Sequence, residues 1–289
     1  MASAQENGNT SAHDHAANGA QERKPYDYGG NPLAHVRTDG SVALPAFGGD
    51  FQPGLYKRNR KLANPAPLGL SAFALTTFVL SLINVTTLNI TEPNIVVAIA
   101  YGYGGLVQLL AGMWEVACGN TFGATALASY GGFWISFGII LTPGGFNIVN
   151  TLEGVTETGG MAMTPEKFTN SFALYLFGWF IFTFLLLICT LKSTVAFFSL
   201  FFTLDLAFLM LGLGYLYADA GTPKQSLITA GGAFGLAAAL LAWYNALAGI
   251  ADNTNSFFVI PVAHFPWSEK GREKRGKVDN SAERAAQDV

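Results

Sequence analysis

From Lys57 to Leu88 the chain reads KRNRKLANPAPLGLSAFALTTFVLSLINVTTL, and this stretch decides the fold. Lys57, Arg58, Arg60 and Lys61 crowd positive charge into five positions, and then charge stops. Pro67 to Leu88 holds no charged side chain, and its apolar residues form a continuous run instead of alternating. A bilayer core of about 30 Å takes about 20 helical residues to cross. A barrel strand would instead alternate over about ten residues. The run is therefore a membrane-spanning helix, with its basic flank at one membrane surface.

Working outward, five more runs of the same kind follow at Ile95–Val116, Thr121–Leu141, Phe172–Leu191, Val195–Ala218 and Ser226–Ile250. The expected fold is an all-α, polytopic membrane protein with six transmembrane helices. Proline placement agrees: Pro65 and Pro67 precede or open the first span, Pro93 precedes the second, Pro143 follows the third and Pro223 precedes the sixth. Within a span, proline would remove a hydrogen bond that lipid cannot replace. Six continuous helices are expected, not broken ones. Glycines inside the spans, such as Gly104, Gly112, Gly131 and Gly235, read mainly as sites of close helix approach.

Composition supports this reading. Of 289 residues 51% are hydrophobic and only 12% charged, about half the share usual in soluble domains. Thirteen of the 16 basic residues lie before Ala63 or after Asp252. The chain divides into a mostly disordered N-terminal tail (1–62), a membrane domain (63–255) and a charged C-terminal tail (256–289). Counting Lys192 with the tails puts 14 of the 16 basic residues on one side, leaving Lys167 and Lys224 on the other. By the positive-inside rule both termini are cytoplasmic. The N-terminus lacks the apolar core of a secretory signal.

The same features exclude several functions. Net charge is −3, and the basic clusters hug the membrane ends, so nucleic-acid binding has no support. Cys118 and Cys189 read as small buried core residues. No histidine lies in a span, which argues against a His relay or a metal site. No nucleotide or hydrolase motif is present, so neither enzyme activity nor any cofactor is expected.

In a bilayer the informative residues are polar ones at depth. Glu115 sits one turn from the end of the second span, and Asp205 sits mid-way along the fifth. Either carboxyl makes a structural hydrogen bond or moves protons. Tyr101, Gly104, Gln108 and Glu115 fall on one helical face. That face lines a water-filled path or forms a buried seam between helices, and the sequence leaves both open. No Arg or Lys lies in a span to clamp an anion. A carboxylate would be held by hydroxyls, amides and helix N-termini, or cross as the neutral acid.

Asn64-Pro65-Ala66-Pro67-Leu68-Gly69-Leu70 resembles the signature of the acetate uptake transporter family, whose bacterial members include the acetate/succinate permease. The likeness continues through Phe73, Thr76-Thr77, Tyr103 to Gln108, Gly119 to Gly123, Ser129-Tyr130-Gly131, Phe133-Trp134 and Thr190-Leu191-Lys192. The long tails and the Thr142–Thr169 loop resemble the fungal branch. The resemblance implies a homo-hexamer with a pore in each protomer, carrying acetate and related short monocarboxylates with protons across the plasma membrane. It implies a constriction of Phe73, Tyr130 and Leu204, with Asn64, Thr76, Gln108, Glu115 and Asn120 as further pathway residues. Proton coupling is expected of Asp205 and Glu115. Ala72 and Ala74 stand where bacterial members carry glycines, and Asp205 stands where the bacterial permease has Thr. Two rival functions remain: an ammonia or ammonium exporter, and a non-transporting membrane sensor of acetate adaptation.

Overall fold

The computed structural model describes residues 62–153, 166–252 and 254–273. The N-terminal tail, apart from Leu62, and the far end of the C-terminal tail lie outside the described residues. Among the described residues, six helices are long and apolar enough to cross a membrane: α1 (Ala66–Asn84), α2 (Asn94–Cys118), α3 (Thr121–Leu141), α4 (Glu166–Cys189), α5 (Val195–Leu216) and α6 (Gln225–Ile250). We call the face that carries the start of α1 and the end of α6 the tail face, and the opposite one the loop face. α1, α3 and α5 run from tail face to loop face, and α2, α4 and α6 return.

The starts and turns follow local chemistry. Pro67 lies in the first turn of α1, where a missing N–H is harmless, and Asn64 Oδ1 accepts from the Ala66 N–H at 3.1 Å. The α2–α3 turn needs a left-handed residue, supplied by Gly119 at φ 78°. Asn120 then caps α3, accepting from the Gly123 N–H at 3.0 Å. Thr194 Oγ1 caps α5 through the Phe197 N–H at 3.2 Å. Along the bundle α1 contacts α2 and α6, α3 lies against α2, and α5 lies between α4 and α6. The α2–α3 approach is close enough that a Cβ at Gly112 would fall on the Ala128 backbone.

Four features differ from expectation. First, α2 is not a uniform α-helix: Gly102–Val107 forms a π-helical segment. Gly105 permits it, because a Cβ there would strike the Ala100 carbonyl and Ile135. Second, α4 begins at Glu166, before the expected Phe172, and a short helix (Ile148–Glu153) lies in the preceding loop. The polar opening of α4 is helical but carries no apolar signal; Glu166 suits the positive end of the helix dipole. Third, Cys118 and Cys189 are exposed, not buried. Both lie at the last turn of a span.

Fourth, the segment after α6 is not merely a charged tail. Its described part folds across the tail face as a strap. The Val195 N–H donates to the Ala263 carbonyl at 2.9 Å, and Trp267 Nε1 donates to the Leu191 carbonyl at 2.7 Å. Phe265 meets Phe198 edge-on at 5.5 Å and stacks on Trp267 at 4.7 Å. The Tyr244 hydroxyl donates to the Pro261 carbonyl. The apolar residues Phe265 and Trp267 drive this docking in spite of the surrounding charge.

Candidate functional site: two cavities and a neck

The three parallel helices α1, α3 and α5 each bring one large residue to the protein interior. Phe73, Tyr130 and Leu204 are all at most 5% exposed and belong to one apolar cluster. The Phe73 and Tyr130 ring centroids are 6.0 Å apart. Tyr130 is held from behind: its hydroxyl shares a 2.9 Å hydrogen bond with Thr183 of α4, and its ring meets Phe182 edge-on at 5.8 Å. A buried tyrosine with its hydroxyl satisfied keeps one orientation.

Two cavities approach this cluster from opposite faces. The tail-face cavity, about 720 Å³, is lined by Leu70, Gln108, Asn120, Tyr130 and Thr190 among others. The loop-face cavity, about 270 Å³, is lined by Thr77, Ser81, Trp134, Phe137 and Phe208 among others. Phe73 and Leu204 line both. Among the described residues no charged side chain lines either cavity. The walls are mainly apolar, with scattered hydroxyls and amides.

Each candidate residue has a definite place. Gln108 is fully buried on the tail-face wall, and neither its Oε1 nor its Nε2 has a hydrogen-bond partner. Asn120 lies on the same wall while capping α3. Four others stand off these two walls. Asn64 orders the start of α1. Thr76 donates to the Ala72 carbonyl at 2.9 Å and seats α1 against Gly104 of α2. Glu115 is buried at the tail-face end of α2 beside Gly123, with Oε1 lacking a partner. Asp205 is buried one position past Leu204, also with one carboxyl oxygen, Oδ1, lacking a partner.

Of the polar face on α2, only Gln108 reaches a cavity. The Tyr101 hydroxyl pairs with Thr142 at 3.2 Å near the loop face, and Gly104 meets Thr76. The π segment explains the break between Tyr101 and Gln108, whereas Glu115 follows Gln108 in regular helix and lies about 10 Å nearer the tail face. Each residue turns an α-helix by about 100°, so one extra residue per turn moves everything after it off the line before it. The cavity residues that sequence reasoning missed include Thr77 and Trp134 on the loop-face wall and Cys189 on the tail-face wall. The spacing held a signal for Thr77 and Trp134, which lie four residues beyond Phe73 and Tyr130.

Six apolar helices around two cavities with uncharged walls define a multi-pass membrane protein. The chain belongs to the GPR1/FUN34/yaaH family, whose model matches residues 47–267; this is the acetate uptake family that the sequence motifs resemble. It is 66% identical over 262 residues to acetate permease A of Emericella nidulans, covering 90% of this chain and 85% of that protein. It is 48% identical over 226 residues to ammonia transport outward protein 2 of Saccharomyces cerevisiae, covering 78% of this chain and 75% of that one. Among solved structures, the bacterial acetate channel SatP matches with a TM-score of 0.56 at 33% identity, over 70% of this chain and 100% of that chain.

Proposed function

We propose that this protein is a plasma-membrane permease for acetate and related short monocarboxylates, with a pore in each protomer that joins the two cavities through Phe73, Tyr130 and Leu204. The observation that carries the reading is that two uncharged cavities abut the same residues, Phe73 and Leu204, from opposite faces. The names of the 66% identical permease and of the solved acetate channel point to the substrate.

The chemistry of the walls is consistent with it. A hydrated inorganic ion would have to shed water at an apolar neck that offers no replacement ligand, which is costly. A short acid presents a methyl group to the same neck and keeps its polar end against an amide or hydroxyl. The unpartnered Gln108 amide is suited to that role on the tail side, with Asn120 further toward the tail face on the same wall. Asn64 and Thr76 act indirectly, by ordering the start of α1 and by fixing α1 on α2. Asp205 and Glu115 are assigned to proton coupling, because each is a buried carboxyl with an unpartnered oxygen close to the pathway but off its wall. A homo-hexamer with cytoplasmic termini completes the proposal, on the family resemblance and the Lys/Arg distribution.

Purified protein in vesicles should accumulate labelled acetate faster than protein-free vesicles, more strongly at acidic external pH. Asp205→Asn, which keeps the shape but cannot titrate, should flatten that pH dependence; superimposable profiles would remove Asp205 from the coupling. The relative named for outward ammonia transport favours a second reading, since uncharged walls also suit ammonia. Ammonia release without acetate uptake would establish that reading instead, and neither flux would leave the sensor.

A further inference from the structure

The neck residues have a second layer beyond them. α1, α3 and α5 run in the same direction, and four residues after each neck position the helix returns to the same face, about 6 Å further on. Phe73 leads to Thr77, Tyr130 to Trp134 and Leu204 to Phe208. All three of these line the loop-face cavity.

Two of the three carry an unanswered donor. Trp134 is 2% exposed, and its Nε1 has no hydrogen-bond partner; Thr77 is 6% exposed, and its Oγ1 has none either. Both departures stand out against their own kind. Thr76, Thr125, Thr190 and Thr203 all donate to a carbonyl three or four residues back in the chain, the usual resort of a hydroxyl in an apolar helix. Trp267 donates to the Leu191 carbonyl. A buried indole N–H ordinarily finds an acceptor, and the membrane interior has no bulk water to supply one.

We propose that Trp134 Nε1–H and Thr77 Oγ1–H form a binding subsite for the carboxyl group of the permeating acid, one helical turn to the loop side of the neck. The inference rests on the permease reading and adds to it a location and a chemistry. Indole N–H is donor only, so it selects an acceptor oxygen and rejects cations. The threonine hydroxyl both donates and accepts, so it serves a carboxylate and a protonated acid alike. Phe208 offers the acid's short alkyl end an apolar wall. The site carries no formal charge, so a bound acid can leave again, as conduction requires. An arginine in the same place would hold it.

The test is acetate uptake into vesicles as a function of concentration. Trp134→Phe retains a ring against Phe133 and Phe137 but removes the donor; Thr77→Val retains the shape but removes the hydroxyl; Thr77→Ser restores it. KM for acetate should rise about ten-fold in Trp134→Phe and in Thr77→Val, with Vmax less affected, and return toward wild type in Thr77→Ser. Wild-type KM in both donor-deleted variants, or a fall in Vmax alone, overturns the subsite while leaving the permease intact. If wild-type protein transports no acetate, the permease reading itself fails, which is a separate outcome. If Trp134→Phe does not yield folded protein, the contrast between Thr77→Val and Thr77→Ser decides.

Discussion

The α1–α3–α5 trio and the polar face of α2 are built from the same helical periodicity, yet only the first follows it. In the trio, Phe73, Tyr130 and Leu204 come together, and the residues four positions on come together again in the next layer. In α2, Tyr101, Gly104, Gln108 and Glu115 share a face by count, but the π segment at Gly102–Val107 breaks the register between Tyr101, which meets a loop-face threonine, and Gln108, which reaches a cavity; Glu115, two regular turns beyond Gln108, lies in a buried tail-face corner. Regular helix carries register over any length. One π turn ends it, and Gly105 makes that turn sterically acceptable.

The comparison can be broken most severely where α2 meets α3. Gly112→Leu would drive a side chain into the Ala128 backbone; overpacking costs about 1–3 kcal/mol, and more where backbone cannot yield. Little monodisperse protein should survive solubilisation, read by size-exclusion chromatography, and a normal elution profile would mean that α2 can move away from α3. Next in size is the neck. Phe73→Ala should raise uptake of propionate and butyrate relative to acetate several-fold, while the protein still assembles. An unchanged ratio would place the selectivity filter elsewhere.

A smaller effect sharpens the reading of α2. Gln108→Ala should lower acetate flux about ten-fold through loss of a polar contact. Leu106→Ala and Leu110→Ala, on the outward side at 52% and 47% exposure, should change flux by less than about two-fold, as surface substitutions do. Equal losses at all three positions would show that α2 acts through packing. The smallest effect lies outside the membrane. Asp252 sits just past α6, where its carboxylate accepts from the Thr254 hydroxyl and from the Thr254 and Asn255 N–H groups. These bonds hold its carboxyl below the usual carboxylate range. A lowered value stabilises the fold above the unfolded-state range and loses that contribution as pH falls through the folded value. Asp252→Ala should therefore lower the thermal midpoint slightly at neutral pH and match wild type once the medium is acidic enough to protonate the turn.

How much was legible follows from what each feature depends on. The spans were readable to within a few residues at most ends, because the length of an apolar run and the position of prolines are properties of the chain alone. α4 was the exception, since its polar first turn looks like loop. Phe73, Tyr130 and Leu204 were singled out through the family motif; spacing alone cannot distinguish large residues that meet across helices from those that face lipid. Thr77 and Trp134 were hidden for a different reason. Nothing in the sequence says that Thr76 satisfies its hydroxyl on the backbone and Thr77 does not.

The strap makes the same point on the tail face. His264, Phe265 and Trp267 lie in a stretch whose charge suggests a solvated tail, and only the Leu191 carbonyl, the Val195 N–H and the ring of Phe198 turn it into a docked segment. By itself, then, the sequence determined the six membrane crossings, their alternating direction, the shortage of charge in the interior and the family. Each of these depends on hydrophobicity summed along one segment or on a contiguous motif. Tertiary structure alone decided that the two cavities share Phe73 and Leu204, that Gln108 reaches a wall while Asp205 and Glu115 lie behind it, and which buried donors lack a partner. Those depend on how separate helices rotate against one another, and a single π turn is enough to change that rotation.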